Sequence, residues 1–417
     1  MPASYRRRPP IAGGCTLVAL VAAFSSPAWA EPAPSYARLL ARLDQTPAAA
    51  ETLALEDAAE ARVRQARARP NPTVSLEAEN VLGSGPFAGV GGADTTLSVS
   101  QDLELFGRRA SRIEAARADA RAATFRRDLA MVEAAGRLAL AYAEAEAAAR
   151  RADLADETLG LTLADARAVM QLVEAGREPL LRGIQGESEA AAARASADEA
   201  AAERDAAFAR LTAVAQLAAP VTSIPASLLD QSPAVRRASP HGPPIVLVAE
   251  AERAAAERRI AVERARARPD ISASVGLRRI EAEDADAFLF GVSVPLPLFD
   301  RNRGNIDAAR AELRAADARL AGVRQDAQAD RAGAEARIAA SASRARAADA
   351  GVTSAEEAYR LSRIGFEAGR ISQLELRATR TALVTARTAA VDARLARVRA
   401  EIDLARLDGR APFEGQE

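Results

Sequence analysis

Lysine is absent from this 417-residue chain: all 56 basic residues are arginine. That removes Schiff-base lysines and the lysine of phosphate-binding loops from consideration. Cysteine and histidine occur once each, at Cys15 and His241, too few for a zinc site, a thiol nucleophile with its base, or a histidine-based triad. No catalytic, cofactor-binding or metal-binding residue is assigned, and the chain is not read as an enzyme. Aromatics make up only 4% of residues although 49% are hydrophobic. Alanine therefore carries most of the apolar content, in place of the large rings that fill a globular core. Charge is balanced at a net of −1, so no basic face is implied and nucleic acid is not expected as a partner. Beyond the N-terminus no apolar run is long enough for a transmembrane helix, which leaves strands as the means of membrane insertion.

What is present begins with a secretory pattern. Arg6, Arg7 and Arg8 precede an apolar stretch at 11–24 and the small-x-small triplet Ala28-Trp29-Ala30, so residues 1–30 are expected to be a signal peptide cleaved after Ala30. Ala12-Gly13-Gly14 before Cys15 lacks the aliphatic residue of a lipid-attachment site. The mature chain is expected to be unlipidated and free of cysteine, which suits an oxidising compartment.

An internal repeat organises the rest. The string Ala-Arg-Ala-Arg-Pro stands at 66–70 and again at 265–269. Leu105-Phe106-Gly107-Arg108 returns as Leu298-Phe299-Asp300-Arg301, and Glu174-Ala175-Gly176-Arg177 returns unchanged as Glu367-Ala368-Gly369-Arg370, both at a separation of 193 positions. The expected division is a first repeat at 31–219, a Pro-rich linker or equatorial segment at 220–244, a second repeat at 245–410, and a C-terminal tail at 411–417. Six prolines mark the linker, together with Ser223, Ser232 and Ser239. Its His241, the sole histidine, is read as a surface residue.

Each repeat reads helix, strand, loop, strand, very long helix, turn, long helix. Apolar residues alternate with polar ones in four short segments, giving Val74, Leu76, Val99, Val275, Phe290, Val292 and Val294 as candidate lipid-facing positions. From Gly107 to Val173, and again from Gly304 to Ile364, proline is absent and glycine sparse. Some 60 residues of helix make a rod of roughly 90 Å, far longer than a globular domain needs. Leu374, Ala378, Thr381, Thr385, Thr388, Val391, Leu395, Val398 and Ile402 recur at intervals of three and four, a coiled-coil seam. Gly176 and Gly369 mark the turns between antiparallel helices.

Four amphipathic strands cannot close a barrel, and unpaired edges in lipid cost several kcal/mol per group. Three copies supply about twelve strands, an even number in the known range. The fold class expected is mainly α with a small β part: a trimeric 12-stranded transmembrane β-barrel, four strands per chain, continued by a long α-helical coiled-coil barrel.

The residues that enter and leave the hairpins, Arg69-Pro70-Asn71-Pro72, the run from Ser100 through Phe106-Gly107-Arg108-Arg109, and Pro295-Leu296-Pro297-Leu298-Phe299-Asp300-Arg301-Asn302-Arg303-Gly304, resemble the TolC-like outer-membrane efflux proteins. Within that family they are most similar to the subgroup that serves heavy-metal pumps of the resistance-nodulation-division class. The resemblance covers nearly all of the mature chain. It implies a homotrimeric conduit across the outer membrane lipid of a Gram-negative bacterium and into the periplasm, docked to a periplasmic adaptor and an inner-membrane pump. The docking tips it implies are Gly176, Arg177, Gly369 and Arg370. An acid six positions after the second tip glycine resembles a gate residue. Here it is Glu375, and the repeat pairs it with Arg182, while Ala378 stands where the family has a further acid. Two alternatives remain at this point: a drug or organic-compound channel of the same family, and a soluble periplasmic coiled-coil adaptor. The second would have one helical hairpin, whereas this chain has two.

Overall fold

The computed structural model describes residues 31–231 and 242–413. The expected signal peptide with Cys15, the linker residues Ser232, Ser239 and His241, and the last four residues lie outside them. The elements run β1 (Glu31–Pro32), α1 (Tyr36–Leu40), α2 (Pro47–Arg67), β2 (Thr73–Glu79), β3 (Asp94–Asp102), α3 (Arg108–Glu174), α4 (Leu180–Val214), β4 (Val221–Ser223), α5 (Pro244–Arg266), β5 (Ser272–Ile280), β6 (Ala285–Ser293), α6 (Arg303–Glu367) and α7 (Gln373–Leu407).

Two helices dominate. With 67 residues in α3 and 65 in α6, each is about 100 Å long at 1.5 Å per residue. Their composition of Ala, Arg and Glu has strong helix propensity, and neither contains an internal proline. Both end in the same way. Gly176 (φ 69°) and Gly369 (φ 66°) take the left-handed conformation, and amides beyond the last turn fold back onto its carbonyls: Gly176 to Val173 and Arg177 to Leu172, Gly369 to Phe366 and Arg370 to Gly365. This glycine-closed turn reverses the chain into α4 or α7. The shorter helices then stack in pairs alongside the long ones, with α2, α3, α5 and α6 side by side nearest the sheet.

The sheet has four antiparallel strands in the order β2-β3-β5-β6. The hairpins β2-β3 and β5-β6 come from the two repeats and join through β3 and β5. A second, two-stranded parallel sheet pairs β1 with β4.

Large side chains are buried chiefly around the middle of α3, where Leu138 and Tyr142 lie among fully covered alanines. Against them pack Tyr36 and Leu39 of α1, Phe208 and Leu211 of α4, and Val391, Leu395, Val398 and Ile402 of α7. Alanine lets the backbones approach closely, so the core is narrow and the rods extend from it in both directions.

Several boundaries differ from the sequence reading. Pro244 opens α5, since proline fits the first helical position. Of the segment read as a linker or equatorial piece, residues 220–231 pack against the helices: β4 pairs with β1, and Leu228 and Leu229 are fully buried in the core. Residues 411–413 are not a free tail, because Pro412 and Phe413 are buried and the Tyr36 hydroxyl donates to the Pro412 carbonyl at 2.8 Å. The coiled-coil seam of α7 is buried only in its C-terminal part, and Leu374 at its start is 69% exposed. Val294 lies one residue past the end of β6.

Candidate functional site: barrel face, junction and helical tips

Register aligns the apolar residues of the sheet. Val74 faces Val99, Val99 faces Val275 and Val275 faces Phe290, so one row crosses all four strands. Leu76, Leu97, Leu277 and Phe288 form the next row, and Ala273 with Val292 a third. All the Val, Leu and Phe residues of these rows are exposed. The alternate rows hold Ser75, Ser98 and Gly276 with the apolar Leu289 at the β6 edge, and Thr73, Ser100, Ser274 and Gly291. Ser75 and Ser98 share a hydrogen bond of 2.7 Å. Arg278 bridges Glu79 at 2.7 Å and Asp94 at 2.6 Å on the same polar face. A pleated strand can present such separate faces only if one meets an apolar medium and the other water.

Where the sheet gives way to helices, arginines from the start of α3 close the end of α2. Arg109 donates twice to the Arg67 carbonyl, and Arg112 donates to the carbonyls of Ala66 at 3.1 Å and Ala68 at 3.0 Å while holding Glu104 in an ion pair. These carbonyls have no partner within their own helix. In the second repeat Asn302, left-handed at φ 56°, donates from Nδ2 to the Glu263 carbonyl near the end of α5 at 2.9 Å. Arg268 reaches across to the Phe106 carbonyl at 3.0 Å. The residues that leave the hairpins thus stitch sheet to helices.

Below the junction α2, α3, α5 and α6 enclose a concavity of about 780 Å³ lined among others by Arg62, Arg112, Asp119, Arg259, Arg266 and Glu312. Its charges are partly paired, Arg259 to Asp119 at 2.7 Å and Arg266 to Glu263 at 2.7 Å.

At mid-length the Glu146 carboxylate, 4% exposed, accepts hydrogen bonds from the amides of Leu228 and Leu229, the Ser227 hydroxyl and Arg150. Asp230 pairs with Arg150 of α3 and with Arg394 of α7 at 3.1 Å, and Arg394 continues to Asp349 of α6 at 2.9 Å. A hydrogen bond from Arg150 is the main cause that holds the Asp230 carboxyl below its ordinary value. Burial, and then the Glu146 charge, push the Tyr142 phenol up; its hydroxyl donates to the Ala226 carbonyl at 2.7 Å.

At the tips, the structure does not bring Arg182 and Glu375 together within one chain. Arg182 is an exposed residue in the first turn of α4. Glu375 is engaged locally: its carboxylate accepts the Ser372 amide at 2.8 Å while Ser372 Oγ accepts the Glu375 amide at 3.3 Å, a capping box that starts α7. Gly176, Arg177, Gly369 and Arg370 sit in the two reversals and are exposed. Three arginines that the sequence reading had missed tie α7 to its neighbours: Arg377 to Glu189 of α4 at 2.6 Å, Arg380 to Asp165 of α3, and Arg387 to Glu157 of α3 and Glu356 of α6, each at 3.0 Å. Their spacing of three and seven on one helix face is the signal that marks them, though it is faint among so many arginines.

Among the described residues no cluster of three or more His, Cys, Asp or Glu side chains is placed to hold a metal ion, and no helix is long and apolar enough to cross a membrane. A one-faced antiparallel sheet carried on paired helical rods defines an outer-membrane channel protein. The chain belongs to the outer membrane efflux protein family, whose match covers residues 41–215 and 243–410. It is 40% identical over 324 residues, 76% of this chain and 72% of the relative, to the nickel-cobalt-cadmium resistance protein NccC of Alcaligenes xylosoxydans xylosoxydans. To the nickel and cobalt resistance protein CnrC of Cupriavidus metallidurans it is 40% identical over 302 residues, 71% of each chain. In fold it is similar to the open-state MtrE outer membrane channel of Neisseria gonorrhoeae, with a TM-score of 0.75 over 91% of this chain and 89% of that one at 22% identity. The fold is that of the TolC-like channels, and the protein resides in the outer membrane.

Proposed function

We propose that three copies of this chain form one conduit, a twelve-stranded barrel continued by a helical tunnel, which exports heavy-metal cations handed on by an inner-membrane pump of the resistance-nodulation-division class through a periplasmic adaptor. The observation that carries this reading is the sheet. Its edge strands β2 and β6 are both unpaired and run in opposite directions, since each of the three pairings is antiparallel. The β6 of one copy can therefore accept the β2 of the next in the same antiparallel sense, and only closure removes both edges from lipid. The apolar rows then face the bilayer, and the charged concavity between α2, α3, α5 and α6 faces the tunnel, where paired charges keep its wall wet.

The metal cargo is supported by the names of the two resistance proteins above. The adaptor is placed at the tips around Gly176, Arg177, Gly369 and Arg370. Closure of the tunnel is placed at the same end, with Arg182 and Glu375 of the three copies around the axis and Arg377 and Arg380 restraining α7. Deletion of the gene tests the cargo: sensitivity to nickel, cobalt, cadmium and zinc rises while tolerance of a drug panel is unchanged. A rise confined to the drug panel defeats the metal reading. Outer-membrane fractions run unheated on denaturing gels carry the protein at three times the chain mass, and a band at the single-chain mass alone defeats the trimer.

A further inference from the structure

We propose that the recess between α2, α3, α5 and α6 is a binding site for a compact polyanion, a di- or tricarboxylate or a phosphate, with Arg62 and Arg69 as its principal contacts. Binding itself depends only on geometry within one chain. Its effect on transport rests on the reading that the recess faces the tunnel.

The recess, about 780 Å³ in volume, is lined by five arginines and three acids. Helices α2 and α5 both run toward the sheet, since each leads directly into a strand, β2 or β5. Arg69 and Arg266 therefore lie nearer the sheet, and Arg62 and Arg259 lie seven residues further from it on the same two segments. Within α5 that interval is two helical turns, about 10 Å. Because α3 packs between α2 and α5, cations stand at two levels on both sides of it. The buried Ala66, Ala115 and Ala309 form part of the wall between them. Concave walls of low polarity screen charge less than water does around an open helix face, so the fields of these arginines add in the recess.

The acids do not neutralise this set. Asp119 is taken by Arg259 at 2.7 Å, and Glu263 by Arg266 at 2.7 Å and by Asn302 Nδ2 at 2.9 Å. Arg112 is committed to Glu104, which lies outside the lining. Glu312 belongs to α6, which α3 and α5 separate from α2. Arg62 and Arg69 are exposed and make no ion pair or side-chain hydrogen bond among the described residues. Each presents a planar fork of donors that matches the paired oxygens of a carboxylate or phosphate, which chloride lacks. An occupant also changes the sign of the wall. Empty, the recess holds more arginines than acids and repels cations; a bound tricarboxylate makes it anionic and favours the passage of the cations proposed as cargo.

The test compares the purified wild type with two double variants. Arg62→Gln with Arg69→Gln empties the site of its free cations. Arg194→Gln with Arg344→Gln is the control, removing two exposed arginines of α4 and α6 that also make no ion pair among the described residues. Titration calorimetry of the detergent-solubilised protein with citrate and with inorganic phosphate, at constant ionic strength, should show saturable binding of at least one probe. Binding should weaken about tenfold in the Arg62/Arg69 variant and stay unchanged in the control. Citrate alone binding assigns a polycarboxylate, and phosphate alone binding assigns a phosphate. Absence of saturable binding of both probes to the wild type overturns the site, and so does an equal loss in the two double variants. In planar bilayers, citrate should raise the permeability of potassium relative to chloride in the wild type and not in the Arg62/Arg69 variant. Saturable binding that leaves this ratio unchanged keeps the site and overturns the reading that the recess faces the tunnel.

Discussion

Arg109 donates two hydrogen bonds to the carbonyl of Arg67, at 2.9 and 2.6 Å, so the last turn of α2 is closed by a side chain 42 residues further along the chain. Arg112 adds bonds to the neighbouring carbonyls and neutralises Glu104, which is nearly covered. Removing Arg112 leaves a shielded carboxylate without its cation, whereas removing Arg109 uncovers only a solvated carbonyl. Arg112→Ala should therefore cost about 3 kcal/mol and Arg109→Ala about 1 kcal/mol. Thermal unfolding of the detergent-solubilised protein measures both, and equal losses would show that Glu104 needs no partner.

The equatorial anchor depends on one carboxylate. Glu146 receives four donors in a site closed to water, and Glu146→Gln keeps the shape but turns an amide NH₂ toward some of them. A loss of about 2 kcal/mol is expected. Limited proteolysis should then cut the segment at 224–231, which the wild type protects. Unchanged stability would mean that the buried Leu228 and Leu229 hold the segment unaided.

Asp230 sets the acid limit of the same region. Its carboxyl is held below the ordinary value of 3.8, mainly by the hydrogen bond from Arg150. A lowered carboxylate contributes stability above its unfolded pKa, and that contribution disappears as pH falls through the folded one. Asp230→Asn should accordingly be less stable than wild type at neutral pH, with the difference closing only below about pH 4. A gap that stays constant from neutral to acid in urea titrations would remove the charge from the explanation.

Much of this architecture was legible in the sequence because it is written in local signals. Strand alternation, the long proline-free stretches and the tip glycines each act over a few residues, and the repeat doubled every one of them. What was not legible depends on contacts between distant residues. For the segment at 220–231 the prolines left linker and equatorial segment both open, because its partners, Glu146 and Tyr142, are about 80 residues away. Phe413 and Pro412 looked like a tail for the same reason. Arg108 and Arg109 belong to the recognised signature, but their tasks, pairing with Asp270 and closing the end of α2, need the three-dimensional neighbour. At the tips the reading of Glu375 saw its charge and missed Ser372 three residues earlier, although the pair is a local capping signal.

On the sheet, Val292 lies inside β6 in the apolar row with Ala273, while Val294 is past the strand end and Ser293 points to the other face. Val292→Arg should cost about 2 to 4 kcal/mol if it lies near the midplane, Val294→Arg less because it sits closer to the interface, and Ser293→Arg about 0 to 1 kcal/mol. Assembly yield in the outer membrane and the temperature at which the oligomer dissociates on gels give the order. An equal response at all three positions would contradict the two-faced sheet.

Glu375 has two candidate roles that a substitution series separates. As a cap, its carboxylate accepts the Ser372 amide and fixes the start of α7. As a member of the proposed closure, its charge attracts Arg182 of a neighbouring copy. Glutamine preserves the cap, since its carbonyl accepts the same amide, and removes the charge. Alanine removes both, and loss of the cap should cost about 1 kcal/mol. Each exposed pair at the closure contributes about 0.2 to 1 kcal/mol, small enough for an arriving adaptor to overcome. Under the proposal Glu375→Gln raises single-channel conductance and vancomycin sensitivity without lowering thermal stability, Glu375→Arg raises both further, and Arg182→Glu combined with Glu375→Arg returns them toward wild type. If Glu375→Gln is silent and only Glu375→Ala and Glu375→Arg disturb the channel, the residue is a helix cap and closure rests on Arg377 and Arg380, whose bridges to Glu189 and Asp165 already tie α7 to α4 and α3 within a single chain.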